Sequence, residues 1–170
     1  VNQLQVYSAN PAHDAAKKNW DWDSKNGDVY TKTLSLNANT TYTFKAVVNS
    51  DFYGKNETTL TRQNQSVALN TEGGNVTITT DIAGDYTFTF NTSTKDISVT
   101  YPVAYTINYG VGTSSNGWGT VAIVPDIASG TFVAAGTDLE LSATPNLGYK
   151  FVGWYSEAAC TNQVSTANPY

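Results

Sequence analysis

Apolar and hydroxyl-bearing residues alternate most regularly between residues 74 and 101. Val76 and Ile78 alternate with threonines, Tyr86, Phe88 and Phe90 do the same after Gly84, and Ile97, Val99 and Tyr101 follow the polar run 91–94. A period of two places one set of side chains on each face of a strand. Short polar turns separate the runs, which predicts three antiparallel strands in series. Their shared apolar face requires a second sheet packed against it.

The same alternation predicts strands upstream, at residues 4–7, 29–36 and 41–48. In the second of these Tyr30, Leu34 and Leu36 share a face; in the third Tyr42, Phe44, Ala46 and Val48 do. Weaker strands are expected at Leu60 and at residues 67–69. Residues 8–18 carry a few alanines behind Pro11, too short a run for a stable helix, and read as a loop or a single turn. Residues 49–56 read as a polar-aromatic loop. About seven strands in roughly a hundred residues predict a β-sandwich. Pro102 cannot donate to a ladder and marks a boundary, which gives domains at 1–102 and 103–170.

The second part has shorter runs: Tyr105, Ile107 and Tyr109, then a Gly/Ser/Asn-rich hairpin loop at 110–119, then Val121 and Ile123, and later Leu139, Leu141 and Ala143. No closing strand is expected at Asn168-Pro169-Tyr170, so this domain reads as an incomplete β unit. Trp118 and Trp154 read as core or hairpin-packing residues. The fold class expected overall is all-β.

Composition narrows the function. Hydrophobic residues make up 40% and charged residues only 14%, with eleven Tyr and four Trp. Thr, Asn and Ser supply the remaining polarity, a mix suited to pleated surfaces. The net charge of −5 and the lack of any basic cluster beyond Lys17-Lys18 argue against nucleic acid and against anionic lipid. No apolar run reaches membrane-spanning length. A single cysteine, Cys160, cannot form an internal disulfide framework. A chain with no methionine at all is expected to be a processed or excised piece of something longer.

Two resemblances follow from particular residues. Asn19-Trp20-Asp21, Gly27-Asp28-Val29-Tyr30, Thr43-Phe44-Lys45 and the 74–101 meander come in the order seen in starch-binding immunoglobulin-like modules of bacterial amylases, pullulanases and surface starch-binding lipoproteins. Gly136-Thr137, Leu139, Leu141, Ala143, Pro145, Gly148-Tyr149, Phe151 and Gly153-Trp154 resemble the internalin-B-type B-repeat, a small β-grasp-like fold of cell-surface proteins. Together they imply an immunoglobulin-like sandwich followed by a B-repeat, in a secreted or cell-surface bacterial protein. The first implies α-glucan or another neutral polysaccharide as ligand; the second implies a spacer or a contact with a surface-protein partner.

In extended backbone Trp20 and Trp22 project to one side and Asp21 and Asp23 to the other. Such a pair either offers a plate for the apolar face of a pyranose or sends one indole into the core. In the related modules a lysine at the place of Lys45 bonds sugar hydroxyls; otherwise it is a solvated strand lysine. Tyr53 stands where those modules carry a second aromatic, and Asn56 could add an amide; alternatively this loop folds back over the sandwich edge. Asp21, Asp23 and Asp28 do not meet the calcium-loop pattern, since Lys25 falls on a ligand position. His13 is the only histidine, and no nucleophile, acid–base pair or phosphate loop is marked by spacing. The expectation is a protein that binds without catalysis, with no metal and no cofactor.

Overall fold

The structure, a computed structural model, describes residues 1–8 and 18–170, with the side chains of 6–8 and 18 outside the description. The expected turn at 8–18, and His13 within it, fall almost wholly on residues that are not described. The described chain is all-β and divides into two compact units, Val1–Val103 and Ala104–Tyr170.

The first unit holds β1 (Gln3–Ser8), β2 (Lys18–Asp21), β3 (Ser24–Asn26), β4 (Val29–Leu36), β5 (Thr41–Val48), β6 (Asp51–Gly54), β7 (Thr59–Leu60), β8 (Ser66–Ala68), β9 (Asn70–Thr71), β10 (Val76–Thr79), β11 (Gly84–Asn91) and β12 (Asp96–Thr100). One sheet runs β2-β1-β5-β10-β7, with β6 also on β5 and β9 on β6; the other runs β3-β4-β11-β12-β8. In β11 the expected alternation is complete: Tyr86, Phe88 and Phe90 are buried while the threonines between them are not. Phe44 of β5 meets Phe88 of β11 edge-on at 5.1 Å across the sandwich. Burying each such ring contributes ~1.5–3 kcal/mol, so these facing positions dominate the stability of the unit.

Two local features differ from the sequence reading. Residues 51–54, within the expected loop at 49–56, are a strand. Asn49 and Ser50 both have positive φ (53° and 71°), the backbone that a two-residue hairpin turn needs, and β6 returns along β5 from Asp51 onward. The second difference lies between β2 and β3, which belong to different sheets. The chain therefore changes sheets at Trp22-Asp23, and the extended run assumed for Trp20–Asp23 is broken after Asp21.

The second unit holds β13 (Ala104–Ile107), β14 (Gly119–Val124), β15 (Thr131–Ala134), β16 (Glu140–Pro145), β17 (Trp154–Tyr155) and β18 (Gln163–Ser165), paired as β13-β15, β14-β16 and β17-β18. The expected hairpin across 110–119 does not form, because β13 takes β15 as its partner. Among the described residues of this unit only Ile123 is buried. Two-stranded ladders with so little apolar cover need other ties. Side chains supply them: the Asn168 amide both donates to and accepts from the Ala143 backbone at 2.9 Å, and the Trp154 indole donates to the Ala167 carbonyl at 2.8 Å. Tyr170 exchanges two 2.8 Å main-chain hydrogen bonds with Leu141, so residues 168–170 do pair with the outer edge of β16.

Candidate functional site

Trp22 sits at the crossover and turns inward. Its ring stacks on Phe90 at 6.4 Å and tilts against Tyr30 at 5.8 Å, and its N–H donates to the Val47 carbonyl at 3.3 Å. It seals the side of the sandwich where the chain passes between sheets. The polar end of the indole finds a carbonyl, as a half-buried tryptophan requires.

Trp20 lies on the edge strand β2 opposite Leu4, a fully buried core residue, and so faces the interior side of its sheet. At the rim it remains 38% exposed. Lys32 comes to it from the other sheet. That lysine occupies an interior-facing position of β4, between Tyr30 and Leu34, and its side chain is only 14% exposed. The ammonium lies 5.5 Å from the Trp20 ring centroid and 2.5 Å from Oδ1 of Asp23. Oδ2 of Asp23 accepts the Thr33 N–H at 2.8 Å, which blocks an otherwise open edge of β4. The Lys32 hydrogen bond, reinforced by the Thr33 N–H, holds the Asp23 carboxyl below its ordinary range. Lys32 is the residue the sequence reading passed over; its only signal was a charged gap in the apolar alternation of β4.

Tyr53 pairs opposite Ala46 and faces the core, with its ring 5.0 Å from Phe90. Lys45 lies between buried Phe44 and Ala46 on β5 and points from the opposite face of the same sheet. Asn56 is exposed but packs its amide onto Gly74, where any added Cβ would overlap it. Gly54 and Gly73 are pressed together in the same way, main chain against main chain. The five expected ligand residues therefore do not converge. Trp22 and Tyr53 meet at Phe90 inside the sandwich, Trp20 stands at its rim, Lys45 is on the outer face, and Asn56 braces a loop.

A second cluster closes the sandwich near Pro102. Arg62 grips Asp81 with two guanidinium nitrogens and donates to the Pro102 carbonyl at 2.7 Å. Its guanidinium lies 5.3 Å from the Tyr101 ring, and Tyr101 packs edge-on against Tyr86 at 5.0 Å. Burial raises the Asp81 carboxyl, but the hydrogen bonds and charge of Arg62 outweigh it and the net direction is down. Burial, with the Asp81 charge behind it, pushes Tyr86 up to about 12, and burial raises Tyr101 as well. Tyr86 donates to the Ile82 carbonyl at 2.7 Å. Arg62, Asp81, Tyr86 and Tyr101 are each engaged with neighbours, and together they clamp this part of the sandwich.

The second unit carries an aromatic pair, Trp118, which the sequence reading assigns to packing, and Tyr149. Trp118 and Tyr149 stack at 5.2 Å with ring planes 16° apart, and both are nearly half exposed, at 46% and 48%. Leu147 beside Tyr149 is fully exposed. The sequence signal was Trp118 between Gly117 and Gly119, a large ring in a segment without packing neighbours.

Residues 109–170 match the divergent InlB B-repeat domain family. The match supports the B-repeat likeness of the second unit and does not extend to the sandwich, whose likeness to starch-binding modules rests on residue order alone. No curated protein and no solved structure matches the chain. No helix among the described residues is long and apolar enough to cross a membrane.

Proposed function

We propose that the chain is a non-catalytic segment of a bacterial surface or secreted protein, in which the sandwich acts as a spacer and scaffold. The observation that carries this reading is the fate of the aromatic residues of the first unit. Trp22 and Tyr53 are spent on the interior, and Lys45 points away from both. The B-repeat match of the second unit supports a surface setting, since such repeats occur in proteins of that kind.

A second reading keeps α-glucan recognition in the sandwich and is favoured by the exposure of Trp20. It places the sugar on one indole whose neighbourhood already holds the Lys32 ammonium. Calorimetric titration of the Trp118→Ala chain with maltoheptaose separates the two. The spacer reading expects no heat. Heat that disappears on adding Trp20→Ala would return glycan recognition to the sandwich. Turnover of labelled starch by the intact chain would overturn the non-catalytic assignment.

A further inference from the structure

We infer that Trp118 and Tyr149 form a binding platform for the ring of a neutral saccharide. The pair is built rather than incidental, because one residue holds both rings. Asn146 donates its main-chain N–H to the Trp118 carbonyl at 2.8 Å and its side-chain amide to the Gly117 carbonyl at 2.8 Å. Its own carbonyl accepts the Tyr149 N–H at 3.0 Å, closing a turn through Gly148, whose φ of +88° suits glycine. On the other side a single 3-10 turn, Thr113–Ser115, leads into Trp118, whose N–H donates to the Ser115 carbonyl at 3.0 Å. Two loops are thus locked together with their aromatic side chains outward, and little ordering remains for a ligand to impose.

The chemistry of the surroundings selects the ligand. Residues 102–125 and 141–149, which supply the rings and their supports, contain no charged side chain, and the one charge adjoining a ring residue along the chain is the exposed Lys150 after Tyr149. A phosphate, sulfate or cationic ligand finds no counter-charge in either segment. Exposed Ser114, Asn116 and Asn146 bring hydroxyl and amide groups into the same loops. A flat apolar plate among neutral hydrogen-bonding groups matches a pyranose, which has C–H faces and a hydroxyl rim. The indole nitrogens make the same distinction. Those of Trp22 and Trp154 donate to the carbonyls of Val47 and Ala167, whereas no described protein group accepts from Trp118. That donor is free for a sugar hydroxyl.

The test is a titration of the isotope-labelled intact chain with maltoheptaose, cellohexaose and laminarihexaose at millimolar concentration, read on the tryptophan indole N–H resonances. Trp118→Phe identifies its signal. The expected result is movement of the Trp118 signal with at least one of the sugars, while the Trp22 and Trp154 signals stay in place. Tyr149→Ala should weaken that response about tenfold, as loss of one stacking ring does, and the unmoved Trp22 and Trp154 signals report that the variant is folded. No movement of the Trp118 signal with any of the sugars overturns the proposal. So does a response confined to Trp20, or one of the same strength in Tyr149→Ala.

Discussion

The indole N–H of Trp22 donates to the main-chain carbonyl of Val47 at 3.3 Å, tying the crossover between the two sheets to the middle of the sandwich. Removing the ring in Trp22→Ala opens a void beside Phe90 and Tyr30 and removes the hydrogen bond to that carbonyl. The expected loss is about 3 kcal/mol, at the low end for a tryptophan because the residue is only partly buried. Trp22→Phe keeps the ring contacts and should cost about 1 kcal/mol, the net worth of one hydrogen bond. Urea unfolding followed by tryptophan fluorescence distinguishes the two.

Asp23 answers to both Lys32 and the free edge of β4. In Asp23→Ala the Lys32 ammonium loses its carboxylate and the Thr33 N–H its acceptor. Because the carboxylate is about half exposed, solvent replaces much of the interaction, and the expected cost is about 1 kcal/mol. Lys32→Met, which keeps the apolar stem, should be close to neutral. Thermal melts at low and high salt would show the wild-type advantage shrinking as salt rises.

Arg62 and Asp81 are largely shielded, with 16% and 21% of their side chains exposed. Arg62→Met leaves a carboxylate facing Tyr86 and Tyr101 without its partner, and should destabilise the sandwich by about 2 kcal/mol. Asp81 is held below the ordinary aspartate value of 3.8, so its share of stability is fully present above that pH and is lost as pH falls through the depressed value. Chemical denaturation from pH 5 down to the acid limit should show this loss in the wild type and a smaller one in Asp81→Asn.

Tyr86 gives the opposite sign at the alkaline end. Its phenol is raised from 10.0 to about 12, so the unfolded chain releases the proton first. The contribution is present below pH 10 and is lost as pH rises toward 12. Absorbance at the phenolate band should show a fraction of the tyrosines ionising only together with unfolding. Tyr86→Phe removes the Ile82 hydrogen bond but should flatten this alkaline loss.

Glu157 organises the loop before β18. Its carboxylate accepts from the Ser156 and Thr161 hydroxyls and from the Thr161 and Asn162 N–H groups, and these bonds lower it to about 2. The loop is therefore braced above the ordinary value of 4.5 and loosens as pH falls toward 2. The amide resonances of Thr161 and Asn162 should shift together over that range, and Glu157→Gln should show no such titration.

The strands were legible where the pattern was strict. Tyr86, Phe88 and Phe90 alternate without exception, and β11 follows them residue by residue. The hairpin into β6 was hidden because Asn49-Ser50 is not a usual pair for two positive φ angles. β15 was missed because Phe132 and Val133 are adjacent and show no period of two. The side-by-side arrangement expected of Trp20 and Trp22 is lost for a related reason. Extended backbone at residues 20–23 would have set both indoles side by side, but sheet membership changes inside that stretch, which no local pattern records. Likewise, the exposure of Trp118 follows from how Asn146 joins two distant loops.

Gly54 and Gly73 meet main chain so closely that neither can carry a side-chain carbon, and at Gly74 an added carbon would have to displace the Asn56 amide. Volume alone therefore bars any larger residue at Gly54 and Gly73, whatever the protein handles. A chain that keeps this backbone crossing has to keep glycine at both places, however far its strands diverge.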